Sequence, residues 1–174
     1  MNNLKSNRIY LREAEETDTA FFLELMNMPG WLEHIGDRNI KTETDALGYI
    51  QKSLLDSYKT NGFGLYVMCL NESHEPIGLC GLVKRDTLDL PDLGFGILPA
   101  YEGKGYVREG SEITLEFAKK ELKMDTILAI TNPTNKRSQN LLERLGFSVV
   151  PKTNYDAEGE VLVTYSLCLT DLNI

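Results

Sequence analysis

Apolar and polar positions divide the chain into short segments with either a strand-like or a helix-like period. Alternating or continuous apolar runs predict strands at residues 6–14, 63–70, 76–85, 92–98, 126–130, 147–150 and 161–169. Apolar residues three and four apart predict a helix from Thr17 or Asp18 to Pro29, and further helices at 44–58, 105–122 and 135–145. The segment 30–43 follows neither period, so we expect a loop or a broken helix there.

The order of these predicted segments defines the fold class. It reads strand, two helices, three strands, helix, strand, helix and two strands, with no internal repeat. Turn-rich connections between consecutive strands favour antiparallel pairing, and a strand–helix–strand unit lies in the second half. We expect an α/β (α+β) fold, with a mixed, mostly antiparallel central sheet of about six to seven strands and about four flanking helices. With 174 residues and 42% hydrophobic content, residues 1–174 are expected to form a single domain.

Charge and composition disfavour several classes of function. The formal net charge is -8, whereas a protein that binds nucleic acid through an extended surface needs a basic face. No apolar run reaches the roughly 20 residues that span a bilayer, and the N-terminus lacks the apolar stretch of a signal peptide. We therefore expect a soluble, cytoplasmic protein with no nucleic-acid or membrane partner. Cys69, Cys80 and Cys168 lie far apart in apolar segments, which favours buried reduced thiols over a disulfide or a metal site.

Two glycines bracket a lysine at the start of the predicted helix 105–122. A helix N-terminus offers unpaired N–H groups and about half a positive charge, which stabilise phosphate oxygens if no side chain blocks them. Gly103 and Gly105 remove such side chains, and Lys104 and Arg108 add positive charge. The turn is therefore a candidate phosphate cradle, although two glycines also suit a sharp strand-to-helix turn without a ligand.

Two common nucleotide-binding loops do not match this turn. A P-loop requires a glycine where Leu98 stands and a hydroxyl residue where Gly105 stands. A dinucleotide-binding fingerprint requires a third glycine where the chain has Arg108. A phosphate cradle here must therefore belong to another class of binding loop.

A second helix start follows in residues 132–147, which read NPTNKRSQNLLERLGF. Asn135 is a favourable N-cap three residues before Ser138, and Gly146 ends the apolar helical period. Taken alone, this is an ordinary capped helix. Beside the glycine turn, it supplies a second helix N-terminus with Lys136 and Arg137 next to it.

The two motifs together resemble the GNAT acetyltransferase superfamily. The turn PAYEGKGY and, about thirty residues later, NKRSQNLLERLGF are most similar to its ribosomal-protein-alanine N-acetyltransferase branch. RIYLREAEETD, GFGLYVMCL and EPIGLCGLVKRD also resemble this branch, so the likeness covers nearly the whole chain. The resemblance implies a GNAT fold whose sheet is splayed near its middle. It also implies transfer of an acetyl group from acetyl-CoA, without a metal ion, to an amine acceptor.

The resemblance further assigns residues to acetyl-CoA. The pyrophosphate would be cradled by main-chain N–H groups and side chains of Gly103, Lys104, Gly105, Tyr106 and Arg108. The pantetheine arm would contact Ile97, Leu98 and Asn135. The family's loop pattern begins with glutamine or arginine, but Ala100 stands at that position here. We expect this departure to weaken the motif without abolishing it.

The sequence indicates the residues that would catalyse acetyl transfer less clearly. Backbone N–H groups at residues 95–97 are candidates for stabilising the oxyanion that forms when the amine attacks the thioester. Many family members protonate the departing thiolate with a tyrosine, but Leu142 occupies the matching position, and Ser138 is the hydroxyl that remains. Ser138 can equally hydrogen-bond the helix backbone. Asp92, Glu33 and His34 are candidates for the base, although His34 is more typical of a loop histidine.

The irregular segment 30–43 and the helix after it are predicted to wall the acceptor pocket. The residues concerned are Trp31, His34 and Tyr49, with Phe95 on the neighbouring strand, although Trp31 fits equally well in the core. A protein N-terminal amine is the leading acceptor, because its pKa of about 7.7–8.0 leaves part of it neutral. The alternatives are a small amine (an aminoglycoside, polyamine or amino acid) and a non-catalytic acyl-CoA-binding module. A homodimer is left open as a further partner.

Overall fold

A mixed β-sheet forms the centre of the protein. The structure is a computed structural model that describes residues 4–151, 154–155, 159 and 161–172. The strands are β1 (Ile9–Arg12), β2 (Leu65–Leu70), β3 (Pro76–Val83), β4 (Asp92–Ile97), β5 (Thr126–Thr131), β6 (Ser148–Val149), β7 (Asn154–Tyr155) and β8 (Val161–Cys168). The α-helices are α1 (Thr19–Met26), α2 (Pro29–His34), α3 (Glu43–Tyr49), α4 (Asp56–Asn61), α5 (Tyr106–Lys120) and α6 (Lys136–Arg144). A π-helical segment (Ile50–Leu55) joins α3 to α4, and 3₁₀ turns lie at Glu16–Asp18, Pro99–Tyr101 and Leu169–Asp171.

The sheet runs in the order β1-β2-β3-β4-β5-β8-β6, and β7 pairs with β8. All pairs of neighbouring strands are antiparallel except β4 and β5, which are parallel. The β3–β4 ladder extends from Gly78 opposite Ile97 to Val83 opposite Asp92. By contrast, β4 and β5 pair at one described position, where Asp92 lies opposite Leu128. The two strands diverge from this point, so the predicted splay near the middle of the sheet is confirmed.

Apolar clusters cover both faces of the sheet. One cluster contains residues of α1, α2 and α3, and the other contains residues of α5 and α6. Successive residues of β2 divide between them, because Val67 packs into the first cluster and Met68 into the second. Helices therefore lie on both sides of a mostly antiparallel sheet, as the sequence predicts.

The helix predicted at 44–58 is the middle of a longer helical stretch over residues 43–61. Thr42 caps it, since its hydroxyl accepts a hydrogen bond from Asp45 N–H at 3.1 Å while the Asp45 carboxylate accepts from Thr42 N–H at 2.9 Å. Gly62 ends it with a left-handed φ of +77°. The π-helical segment inside the stretch is not predicted, because it departs from the 3.6-residue period.

Other elements differ from expectation in detail. Pro29 begins α2 as well as following α1, because proline suits the first turn of a helix. The strand predicted at 147–150 shortens to β6, and β7 adds an eighth strand. Residues 152–153, 156–158 and 160 of the predicted final hairpin lie outside the described residues. Cys69 and Cys80 are buried, but Cys168 is exposed where β8 ends, so the prediction of a buried thiol there is wrong.

The described residues contain neither a candidate metal-binding cluster nor a helix suited to cross a membrane. Within residues 4–151, 154–155, 159 and 161–172, no group of three or more histidine, cysteine or carboxylate side chains is arranged to hold a metal ion. Among the helices in those ranges, none combines the length and the apolar character that a bilayer crossing requires.

Candidate active site

The edge of β4 becomes free where the strand leaves β5. Leu98 N–H donates to the Ile77 carbonyl at 2.9 Å. Because every second residue of a strand bonds to the same neighbour, this bond identifies which residues of β4 bond to β3. Alternate residues of β4 bond to β3, whereas the backbone groups of Phe95 and Ile97 face away from β3, toward β5. Among the described residues, β5 pairs with β4 only at Asp92, the first residue of β4. The backbone N–H and C=O groups of Phe95 and Ile97 therefore face the gap between the two strands.

Leu98 differs from Ile97 in what its backbone can offer. Its N–H is bonded to Ile77, and its carbonyl accepts a hydrogen bond from Tyr101 N–H at 2.9 Å. Of the two β4-end residues among the three predicted to bind the pantetheine arm, Ile97 presents backbone groups to the gap. Leu98 instead anchors the 3₁₀ turn that leads from β4 toward α5.

The glycine loop, residues 103–108, follows this turn and opens α5. Gly103 and Gly105 have left-handed φ angles of +72° and +85°, and Gly105 is the N-cap of α5. A residue with a side chain pays about 1–2 kcal/mol in that conformation, so the turn itself calls for glycine twice. A Cβ atom on Gly103 would have no heavy atom within 4 Å, so the loop is open on that side. The loop thus makes the sharp turn and also leaves the helix N-terminus unobstructed.

Charged side chains surround the glycine loop. Ion pairs join Arg8 to Glu109, Arg108 to Glu112 and Arg137 to Glu102, with N–O distances of 2.7, 2.8 and 2.6 Å. The third pair links the first turn of α6 to the residue that precedes Gly103. The Lys104 ammonium lies 5.3 Å from the ring centroid of Tyr101 and has no ion-pair partner among the described residues. It is the loop's uncompensated positive charge.

The N-terminus of α6 brings two predicted residues together. The Asn135 side chain accepts a hydrogen bond from Ser138 N–H at 3.0 Å, which confirms Asn135 as the N-cap. Ser138 is 8% exposed, and its hydroxyl bonds no other described residue, so the alternative of a bond to the helix backbone is not realised. Leu142, at the position of the family's tyrosine, is buried in the core.

Asp92 lies at the closed end of the gap, where β4 and β5 still pair. Its carboxylate accepts a hydrogen bond from Arg85 Nε at 2.9 Å, and the residue is 1% exposed. Burial raises the pKa of Asp92, and Arg85 acts in the opposite direction. A buried carboxylate with a raised pKa is suited to proton transfer, but its bond to Arg85 also fits a purely structural ion pair.

Trp31 packs on β4 at Gly96, on the face of the strand to which Asp92 also belongs. Its ring lies against Gly96, where a Cβ atom would be 2.7 Å from Cζ3 of the indole. The indole Nε1 is buried and has no hydrogen-bond partner among the described residues, and neither does His34 Nδ1 three residues further along α2. Trp31 belongs to the core cluster of its face, as one of the two sequence interpretations expects, and its place in the acceptor pocket stays a prediction. Two unsatisfied buried nitrogen atoms therefore lie on one short helix next to β4.

The remaining predicted residues are more dispersed. Tyr49 packs against Phe22 and lines a cavity of about 400 Å³ between the π-helical segment, α4 and the ends of β2 and β3. The Phe95 side chain packs into the α5–α6 cluster, on the other face of the sheet from Trp31. Glu33 is exposed on α2. The structure thus groups Trp31 and His34, but it does not bring the Phe95 side chain to them.

Two arginines at the site, Arg8 and Arg85, were not predicted from the sequence. Arg85 follows β3 and reaches Asp92 on the next strand. Arg8 precedes β1 and reaches Glu109 and the Lys104 carbonyl, 101 and 96 residues away along the chain. Both lie at polar positions near the ends of predicted strands, 6–14 and 76–85, where the pattern does not distinguish them from solvated surface residues.

Comparison with known proteins assigns the family. A family model described as an acetyltransferase (GNAT) domain matches residues 8–148. The chain belongs to this GNAT acetyltransferase family. It is therefore an acetyl-transfer enzyme, and its family uses acetyl-CoA as co-substrate and amines as acceptors.

Individual relatives of this GNAT acetyltransferase are distant. It is 24% identical over 144 residues to the uncharacterised N-acetyltransferase YnaD of Bacillus subtilis, and the match covers 83% of this chain and 81% of the relative. The ribosomal-protein-S5-alanine acetyltransferase of Vibrio fischeri superposes with a TM-score of 0.75 at 17% identity, over 98% of each chain. A spermidine N-acetyltransferase chimera from Vibrio cholerae gives 0.74 at 16% identity, over 93% of this chain and 96% of its own. At these identities the structures establish the GNAT fold but not the acceptor.

Proposed function

We propose that this GNAT acetyltransferase transfers the acetyl group of acetyl-CoA to the N-terminal amine of a protein. The observation that carries the proposal is the free edge of β4 next to the glycine loop. Phe95 and Ile97 direct backbone groups into the gap, and α5 begins at Tyr106. A ligand with a flexible amide-containing arm and a diphosphate at one end matches this arrangement, because the edge bonds amides and the helix N-terminus favours phosphate.

Each step of acetyl transfer has a candidate group in this chain. Acetyl-CoA supplies an activated acetyl thioester, whose reaction with an amine requires a hydrogen-bond donor for the carbonyl oxygen and a proton for the departing sulfur. Phe95 N–H and Ile97 N–H face the gap and are the proposed donors. The Ser138 hydroxyl, with no described partner, is the proposed proton donor. Asp92 is the proposed base at the closed end of the gap.

The limited access to Asp92 favours an acceptor amine with a low pKa. Because Asp92 is buried and already bonded to Arg85, it can help only weakly to remove a proton from an incoming ammonium group. At pH 7.5, roughly a third of an N-terminal amine with a pKa of about 7.85 is neutral, whereas about 0.1% of a lysine amine is. An N-terminal amine therefore reacts with much less assistance.

Charge on the acceptor side disfavours a polyamine. Burial raises the pKa of Tyr49, and the positive charges of Arg38 and Arg85 act against that rise, so both arginines lie near this residue. A polyamine would place several further positive charges in the field of Arg38, whereas the charge of Arg85 is already paired with Asp92. A peptide brings a single amine, and the exposed apolar side chains of Leu32 and Ile35 on and after α2 offer a surface for its first residues.

One observation favours a small-molecule acceptor as the second candidate. The cavity of about 400 Å³ beside Tyr49 lies within the range of about 300–1,000 Å³ that is usual for small-ligand pockets. Because Leu142 stands where many family members carry a catalytic tyrosine, the proton donor of this enzyme must be another group.

The test compares three acceptors in the presence of acetyl-CoA. The first is a lysine-free peptide with a free N-terminus, the second is an N-acetylated peptide with one lysine, and the third is spermidine. Release of the CoA thiol gives the rate, and mass spectrometry of the product locates the acetyl group. We expect acetylation of the first peptide alone. Preferential acetylation of spermidine or the lysine would overturn the proposed acceptor, and CoA binding by calorimetry without turnover of any amine would indicate a binding module.

A further inference from the structure

The Arg8 side chain clamps the glycine loop from the start of β1. Arg8 Nη1 donates to the Lys104 carbonyl at 3.0 Å, while Nε and Nη2 contact the Glu109 carboxylate at 2.9 and 2.7 Å. The guanidinium carbon lies 4.6 Å from the ring centroid of Tyr106. One side chain therefore holds the loop backbone, the first turn of α5 and an aromatic ring of the loop.

The bond to Lys104 fixes the direction of a neighbouring N–H group. In a trans peptide unit the C=O and N–H bonds point in opposite directions, and the structure contains no cis peptide bonds among its described residues. The Lys104 carbonyl points at Arg8, so Gly105 N–H, in the same peptide unit, points away from Arg8. This N–H lies at the N-cap of α5, where a diphosphate is expected to bind.

Arg8 also compensates a negative charge in the first turn of α5. The Glu109 carboxylate also accepts a hydrogen bond from the Ser6 hydroxyl at 2.6 Å, and its side chain is 17% exposed. Burial alone raises the pKa of Glu109, but Ser6 and Arg8 more than offset this effect, so the pKa lies below its usual range. Glu109 is therefore charged at neutral pH, and without Arg8 its charge would repel a phosphate group bound one turn away.

We propose that Arg8 is a positioning residue for acetyl-CoA binding, which it promotes by orienting the Lys104–Gly105 peptide unit and neutralising Glu109. The inference rests on the proposed function, since it concerns the same loop. It extends the site beyond the loop motif to a residue that does not touch the reacting atoms. It also explains how the loop functions with Ala100 where family members have glutamine or arginine, because a guanidinium is supplied from another part of the chain.

The test compares R8A and R8K with K120A as the matched control. Lys120 pairs with Glu116 on the last turn of the same helix, so K120A removes one positive charge and one ion pair at the opposite end of α5. Calorimetry measures the affinity for CoA and for pantetheine, which lacks the diphosphate, and steady-state kinetics give kcat and KM for acetyl-CoA. Urea unfolding checks that each variant is folded.

We expect R8A to weaken CoA binding about tenfold, as for loss of about 1.4 kcal/mol, and to leave pantetheine affinity and kcat unchanged. R8K should recover part of this loss, because it retains the charge but cannot make all three contacts. K120A should bind CoA like the wild type. Wild-type CoA affinity in R8A, or an equal loss of affinity for CoA and pantetheine, would overturn the inference. If the wild-type protein itself failed to bind CoA, the proposed function would fall with it.

Discussion

The ring of Trp31 lies so close to Gly96 that a Cβ atom on this glycine would be 2.7 Å from Cζ3 and 3.0 Å from Cε3. The indole can lie this close only because Gly96 has no side chain. Gly96 therefore allows α2 to approach the sheet at the residue between Phe95 and Ile97. The short helix and the free strand edge are therefore positioned by the same contact. Trp31 is also the single tryptophan of the sequence, which makes the contact observable.

Gly96→Ala is expected to destabilise the protein by about 1–3 kcal/mol, because the added methyl group must displace the indole in a packed region. Urea unfolding measures the loss. In a Trp31→Leu background the same change should have a smaller effect, since the smaller side chain leaves room. Gly48→Ala is the matched control, because a Cβ atom on Gly48 meets nothing within 4 Å and alanine favours the helix. Equal effects of Gly96→Ala in both backgrounds would contradict the contact.

Fluorescence of Trp31 should report ligand binding at the edge of β4. The residue is 6% exposed, so the free protein is expected to emit at short wavelength. Titration with acetyl-CoA should give a saturable change in intensity or wavelength, with the same dissociation constant as calorimetry. A calorimetric binding curve without any fluorescence change would place the ligand elsewhere than beside Gly96.

Gly103→Ala and Gly105→Ala should each lower the free energy of unfolding by about 1–2 kcal/mol, because both positions have left-handed backbone angles. Both should also weaken CoA binding, since relaxation of the strain moves the N–H groups of the loop. Gly62→Ala is the control, with φ of +77° and open space around it at the end of α4. It should lose similar stability and bind CoA normally. If all three variants bound CoA equally well, the glycine loop would be a structural turn alone.

Arg85→Ala should destabilise the protein more at pH 8 than at pH 5. Burial raises the pKa of Asp92, so the folded state holds its proton to a higher pH than the unfolded chain does. The free energy of unfolding therefore falls as the pH rises from the pKa of Asp92 in the unfolded chain to its pKa in the folded protein. Removal of Arg85 raises the pKa of Asp92 in the folded protein further, so this fall becomes larger. The loss at pH 8 should be about 3 kcal/mol, as for other buried charges left without a partner. Urea unfolding at both pH values measures it.

The control for this effect is Lys41→Ala, which removes an exposed ion pair with Asp37. It should change stability by less than about 1 kcal/mol at either pH. A loss in Arg85→Ala that does not depend on pH would show that packing of the arginine, rather than the charge of Asp92, is responsible.

Ser138→Ala should reduce kcat by about tenfold to a hundredfold while leaving CoA affinity and stability close to wild type, because its hydroxyl has no described partner to lose. Ser138→Thr, which retains a hydroxyl, should recover part of the activity. Steady-state kinetics and calorimetry separate the two effects. Unchanged kcat in Ser138→Ala would remove this residue from the chemistry.

The sequence predicted the features that depend only on residue type and on short-range spacing along the chain. The cap at Asn135 and the sharp turn at Gly103 and Gly105 follow from residue type and spacing. Contacts between distant segments were not predictable in the same way. The Arg8–Glu109 pair spans 101 residues and depends on how β1 packs beside α5. The position of Trp31 over β4 likewise depends on the tertiary fold rather than on the period of segment 30–43.

The single ladder position between β4 and β5 has a consequence for how the molecule is held together. The helix α5 packs on β1, β3 and β4 and also reaches the 3₁₀ turn at Leu169–Asp171, whereas α6 packs on β5, so the strands on the two sides of the gap form two groups joined mainly through α5 and the core. They share the apolar cluster beneath α5 and α6 but almost no sheet hydrogen bonds. A ligand that bonds both sides of the gap would join these groups where the backbone does not. We therefore expect a ligand bound in the gap to stabilise the fold by joining strands that the sheet hydrogen bonds leave apart.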